Sequence, residues 1–276
     1  MGNFLTVFAS LALLTLAPPV VFGLAVWLCQ RLFCALVGEY SGRPLLLAAH
    51  CLSTPLREAG HALGCLLFFH RVEEISFFNP NDPDGELGFV EHSYNPRNPL
   101  ALLGNLAYAL APIAIGLFAV LVIFLSCFNG VIEPFFAEIA ALGERGASFG
   151  EYVSTTFSVI PAVFSGETNV FGGIIGAILL LLICLGIHVT PQDLLDALSG
   201  FLIFGGVAVL AAFALALLND MRIIKMITTV LGGFAATVTA LFALVLLAAL
   251  ALLIVGGVFF LIRTLFDLDL KHSRWS

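Results

Sequence analysis

From Ile227 to Ile262 the chain carries no charged side chain, and that fact excludes most folds. A run this long belongs in a bilayer, where about 20 apolar residues span the hydrocarbon core as a helix. Backbone N–H and C=O groups meet no water there, so the run must close its own hydrogen bonds. The composition agrees: of 276 residues, 61% are hydrophobic and 11% charged, far too apolar for a soluble domain. The chain reads as an α-helical polytopic membrane protein, a single bundle with membrane lipids around it. A net charge of -7 and the lack of any basic run give no footing to a nucleic-acid partner. Cys29, Cys34, Cys51, Cys65, Cys127 and Cys184 fall in or beside apolar segments, and none forms a Cys-x-x-Cys pair. They read as small buried hydrophobes.

Five to six membrane segments are expected within one domain, 1–276. Residues 1–44 hold a first span, about Phe4 to Leu28, bent at Pro18-Pro19, and an interfacial linker. Without a basic n-region, this span reads as uncleaved. Residues 45–128 hold a second apolar segment (about Leu45 to Phe69), a hairpin, and a third span from about Pro99 to Phe128. Pro55 interrupts the second segment, so a fresh helix is expected there, capped by Ser53 or Thr54. Val72, Ile75, Phe77 and Phe78, the turn-forming run from Asn79 to Gly85, and then Leu87, Phe89 and Val90 predict a β-hairpin. Residues 129–169 read as an acidic loop, with Glu133, Glu138, Glu144, Glu151 and Glu167 against Arg145, and so as non-cytoplasmic. Residues 170–276 hold the C-terminal spans, about Val170 to Ile187, Leu194 to Leu218 and Ile227 to Ile262. The last reads as a tilted helix, a helix with a protruding end, or two pieces broken at Gly256-Gly257. Arg263, Lys271 and Arg274 mark a cytoplasmic tail.

Inside the second segment stands Ser53-Thr54-Pro55-Leu56-Arg57-Glu58-Ala59-Gly60-His61. An ionisable side chain at the bilayer centre costs at least about 2.5–3.5 kcal/mol, so a cluster of them calls for a reason. On a helix, Arg57 and His61 stand four apart and Glu58 and His61 three apart, so all share one sector. Zinc proteases use His-Glu-x-x-His at this spacing, with two metal ligands and a general base. Here the first position is Arg57, which stays protonated and cannot bind a metal.

Arg57-Glu58-Ala59-Gly60-His61-Ala62-Leu63 is followed by the hairpin, then by Gly104-Asn105 opening an apolar helix with Ala111-Pro112. This order resembles the site-2 protease family of intramembrane zinc metalloproteases. It is similar, more closely, to bacterial membrane proteins with a His-Ser-Tyr-Asn-Pro run and a following Gly-Asn…Ala-Pro segment, here His92 to Pro96 and Gly104 to Pro112. The resemblance covers residues 45–120 and, weakly, 188–200. It implies a site-2 protease-like core in a bacterial inner (cytoplasmic) membrane. It implies Glu58 as general base, His61 as a metal ligand and Asp193 as the family's aspartate, with Asp196 in Leu195-Asp196-Ala197 as the second choice. His188 and His92 are the histidines able to compensate for Arg57. A zinc site of His61, His188 and Asp193 with an open position meets the ligand count of a catalytic centre. Metal-bound water would then attack a peptide bond of a membrane-embedded substrate. The hairpin edge is where an extended substrate would add as a strand. Arg57, His92 and Asn105 complete the candidate set.

Plainer readings stand beside these. His61 serves as a core hydrogen-bonding group, and Glu58 as the counter-ion of Arg57. Asp193 closes a capping box with Thr190. His188 is a loop residue, His92 to Pro96 a turn, and His50, His70 and His272 are interfacial. Three functions follow. The foremost is a divergent or catalytically impaired family member that binds a membrane-embedded protein or hydrophobic ligand. The others are an active zinc peptidase and a small transporter or channel with Arg57, Glu58 and His61 along its pathway.

Overall fold

The computed structural model describes residues 2–38, 42–81, 86–145, 151, 154–155, 158, 170–218 and 220–266. The expected cytoplasmic tail, His272, the centre of the hairpin turn and most of 146–169 lie outside them. Helix α1 (Gly2–Ala9) passes through a π-helical turn at Ser10–Leu14 into α2 (Thr15–Val37). Helix α2 runs on through Pro18 and Pro19. The π turn just ahead of them is the kind of local adjustment by which membrane helices tolerate proline. Then come α3 (Arg43–His50), α4 (Ser53–Leu67), β1 (Arg71–Ser76), β2 (Phe89–Ser93), α5 (Pro99–Cys127) and α6 (Asn129–Arg145). The described C-terminal part holds α7 (Val170–Ile183), a 3-10 turn at Cys184–Gly186, α8 (Pro191–Asp196), α9 (Leu198–Leu218) and α10 (Met221–Leu265).

Among the described residues, four helices are long and apolar enough to cross a membrane: Phe4–Val37, α5, α9 and α10. Leu202, Leu210, Phe213 and Leu217 of α9 are exposed, as befits a lipid-facing surface. The remaining expected segments are shorter. Phe171–Gly186 is an apolar helix below spanning length, and the 45–69 segment is split into α3 and α4.

That split falls at Cys51 and Leu52, ahead of the predicted position. Pro55 lies in the first turn of α4, where its missing N–H would find no helical partner in any case. Neither Ser53 nor Thr54 caps the helix: the N-cap is Leu52, with no side-chain cap. The Ser53 hydroxyl instead donates to Ala49 O at 3.2 Å. Another correction concerns 129–169, whose first part is helix rather than loop. Helix α6 buries Val131, Phe135, Ile139 and Leu142, a helical repeat of one face, against Phe124, Leu241 and Leu244.

Of the three readings of 227–262, the structure has one continuous helix. The 45 residues of α10 would measure about 68 Å at 1.5 Å per residue, well beyond the bilayer's hydrocarbon core of about 30 Å. Its middle, from Ala235 to Leu252, carries most of its buried residues, and Phe242 stacks on Phe22 of α2 at 5.6 Å.

Lipid tails are as apolar as leucine, so membrane helices associate through close fit and polar contacts. Gly60 and Gly64 supply that fit between α4 and α5. A Cβ on Gly60 would lie 2.5 Å from Pro112 Cα, and one on Gly64 2.9 Å from Tyr108 Cα. The two backbones therefore touch along one turn. The predicted hairpin is present: β1 and β2 pair antiparallel, Arg71 opposite Ser93 and Ile75 opposite Val90, with a bulge between Val72 and Glu74. Asn79 N–H donates to Leu87 O at 2.7 Å and closes its turn.

Candidate functional site

Helix α4 holds the Arg57, Glu58 and His61 cluster against α5 and the 187–193 segment. Glu58 and His61 are each 1% exposed. Arg57 Nη1 donates to Glu58 Oε1 at 2.7 Å, and Nη2 lies 3.5 Å from Asp193 Oδ2. One guanidinium thus stands between the two carboxylates to which the resemblance assigns base and ligand roles. Asp193 also fulfils the capping reading: its Oδ2 accepts from Thr190 N–H at 2.8 Å, and its own N–H donates to Thr190 Oγ1 at 3.0 Å. Asp196, the second choice, accepts from Gln192 Nε2 on the exposed side of α8.

His61 owes its orientation to Pro112. A proline has no N–H, so the carbonyl four residues back, Tyr108 O, loses its helical donor. His61 Nδ1 lies 3.1 Å from that oxygen, and since a carbonyl only accepts, Nδ1 carries the proton. The ring also stacks on Tyr108 at 4.2 Å. Nε2 is left as a bare acceptor. Among the described residues, three buried side-chain atoms lack a partner: Arg57 Nε, His61 Nε2 and His70 Nδ1.

His188, 3% exposed, gives Nδ1–H to Leu185 O at 2.8 Å. It lines a cavity of about 1130 Å³ together with Trp27, Thr54, Arg57, Glu58 and Leu87. Asn105 of α5, 5% exposed, donates through Nδ2 to Ser199 Oγ at 2.9 Å and ties α5 to α9.

His61, His188 and Asp193 are not gathered as metal ligands. Among the described residues, the group whose ligand atoms all lie within 4.8 Å of one another is Cys65, His70 and His92. The reason is local: the Asp193 carboxylate is engaged by Thr190 and Arg57, and a fixed positive charge opposes a dication nearby. The residues around Arg57 therefore do not fit a catalytic zinc.

Cys65 is a fully buried hydrophobe, as expected, but it has imidazole neighbours. His70 is 5% exposed, and so is His50. His70 Nε2 donates to Ala101 O at 2.7 Å, and its ring stacks on His92 at 5.0 Å and on Tyr94 at 4.9 Å. His92 and Tyr94 of the His-Ser-Tyr-Asn-Pro run thus pack on a histidine, while Asn95 Oδ1 accepts from Arg97 N–H in the turn beyond. Burial, with the His70 ring beside it, lowers the His92 pKa below the ordinary value, and Asp196 opposes the shift. The signal for this group lay in hairpin register, since His92 pairs with Val72, two residues after His70. Compared with models of known protein families, with curated proteins and with solved structures, the chain matches none of them.

Proposed function

We propose that this chain is a non-hydrolysing, site-2 protease-like protein of a bacterial cytoplasmic membrane that holds a membrane-embedded polypeptide in its cleft. The observation that carries the reading is the Arg57 guanidinium between Glu58 and Asp193. A permanent cation stands where the resemblance would put a metal, so the charge balance is kept and the Lewis acid is lost. Without that metal, Glu58 has no bound water to deprotonate, and it serves as the counter-ion of Arg57.

One unpaired group on the cavity wall favours a peptide as occupant. Arg57 lines the cavity, and its Nε–H is a donor without an acceptor. A backbone carbonyl offers the complement, and buried polar groups are ordinarily satisfied. The two-stranded sheet leaves an outer edge on each strand, to which an extended segment adds by main-chain hydrogen bonds. Asn79, Leu87 and Gly88 carry the hairpin to the cavity wall.

The test uses full-length protein in lipid vesicles with Trp275→Phe, so that Trp27 in the cavity wall is the one remaining fluorophore of its type. A single-span peptide bearing a quencher should lower Trp27 emission saturably and remain uncut. Arg57→His, which rebuilds His-Glu-x-x-His, should bind about one more zinc per chain than its parent. Cleavage by the unaltered protein, or a Trp27 signal indifferent to the peptide, would overturn the proposal.

A further inference from the structure

We propose that Cys65, His70 and His92 form a zinc site that clips the β-hairpin to the membrane bundle, separate from the Arg57 cluster and independent of the function proposed for it. The three come from different places: Cys65 from the end of α4, His70 from the link into β1, and His92 from β2. Their ligand atoms lie within 4.8 Å of one another. Zinc–sulfur and zinc–nitrogen bonds of about 2.3 and 2.0 Å put tetrahedral neighbours about 3.5 Å apart, so side-chain rotation brings them into range. His92 is half-buried on its strand and packs between the His70 and Tyr108 rings, at 5.0 and 4.3 Å.

An independent observation points to a ligand. His70 gives its Nε2 proton to Ala101 O, so Nδ1 keeps a lone pair, and that atom is buried without a partner. Metal-bound histidines are commonly held in this way, with the second nitrogen donating to a backbone carbonyl. Gly104 makes room for it, since a Cβ there would fall 2.6 Å from His70 Nε2. One thiolate and two imidazoles suit zinc and reject magnesium or calcium, which prefer oxygen. Cys65 is 0% exposed, and entry is from the His92 side. The three ligands leave a fourth position to water or a further donor.

The experiment is elemental analysis of full-length protein in detergent after zinc loading and desalting, with cobalt loading in parallel. About one zinc per chain is expected, and the cobalt form should show the near-ultraviolet sulfur-to-metal charge-transfer band of a thiolate ligand. Cys65→Ala and His92→Asn should each weaken zinc at least tenfold, while Asp193→Asn keeps it. His92→Asn changes a half-buried strand position and carries the test if Cys65→Ala does not fold. Metal-free unaltered protein, zinc retained by His92→Asn, or zinc lost only on Asp193→Asn would overturn the assignment.

Discussion

Arg57 and Asp193, 136 residues apart in the chain, meet at 3.5 Å through Nη2 and Oδ2. The contact joins α4 to the start of α8, and the same guanidinium holds Glu58 at 2.7 Å. Two carboxylates are thereby tied to a single cation.

Arg57→Met leaves Glu58, 1% exposed, as a buried carboxylate without its partner. Breaking a buried pair from one side costs about 3–5 kcal/mol, and the 21% exposure of the Arg57 side chain points to the lower end. Arg57→Met combined with Glu58→Leu should recover most of that loss. Denaturant unfolding in one detergent measures both; strictly additive losses would show that the two side chains are not coupled.

Gly60→Ala should destabilise strongly, because its Cβ would meet Pro112 Cα at 2.5 Å and backbone cannot step aside. Gly232→Ala, with nothing within 4 Å of its Cβ, should instead be neutral or stabilising by up to about 1 kcal/mol. Comparing melting temperatures of the two variants checks the α4–α5 packing directly.

Gly104→Ala replaces no proposed zinc ligand, yet it pushes on the His70 ring at Nε2 and on Phe68 Cβ, both 2.6 Å from the new atom. Zinc affinity, read by competition with a chromophoric chelator, should fall about tenfold or more, as for other losses of supporting contacts. An unchanged affinity would remove His70 from the site.

Chelating the zinc should loosen the hairpin. Arg71 has an 81% exposed side chain, so tryptic cleavage after it should speed up several-fold in chelator if the metal braces β1. Cys65→Ala should be cut fast with or without chelator. Equal rates for the unaltered protein under both conditions would mean that the hairpin stands without metal.

The spans and the hairpin were legible because their causes are local. Uncharged apolar runs have one solution in lipid, and Asn79 to Gly85 is dense in turn formers. Pro55 marked the restart of the helix to within a few residues, since a proline fits a first turn, but not its cap, which is Leu52 rather than Ser53 or Thr54. Helix α6 was hidden by its glutamates, which sit beside a good apolar repeat at Val131, Phe135 and Ile139. The Arg57–Glu58 pairing could be read from the tendency of charges within a membrane to pair. Its approach to Asp193 could not, since that depends on how the bundle closes. Cys65 gave no sign because its neighbours in sequence are apolar, and the histidines reach it only through the path of the hairpin.

Pro112 has the widest reach of any single residue here. By silencing one rung of its own helix it turns the Tyr108 carbonyl outward, and a side chain from a neighbouring helix must answer with a proton. Position 61 is thus constrained twice, by what it presents to a ligand and by what it mends. Asparagine or glutamine there can still mend, whereas leucine would leave an open seam through the middle of the protein.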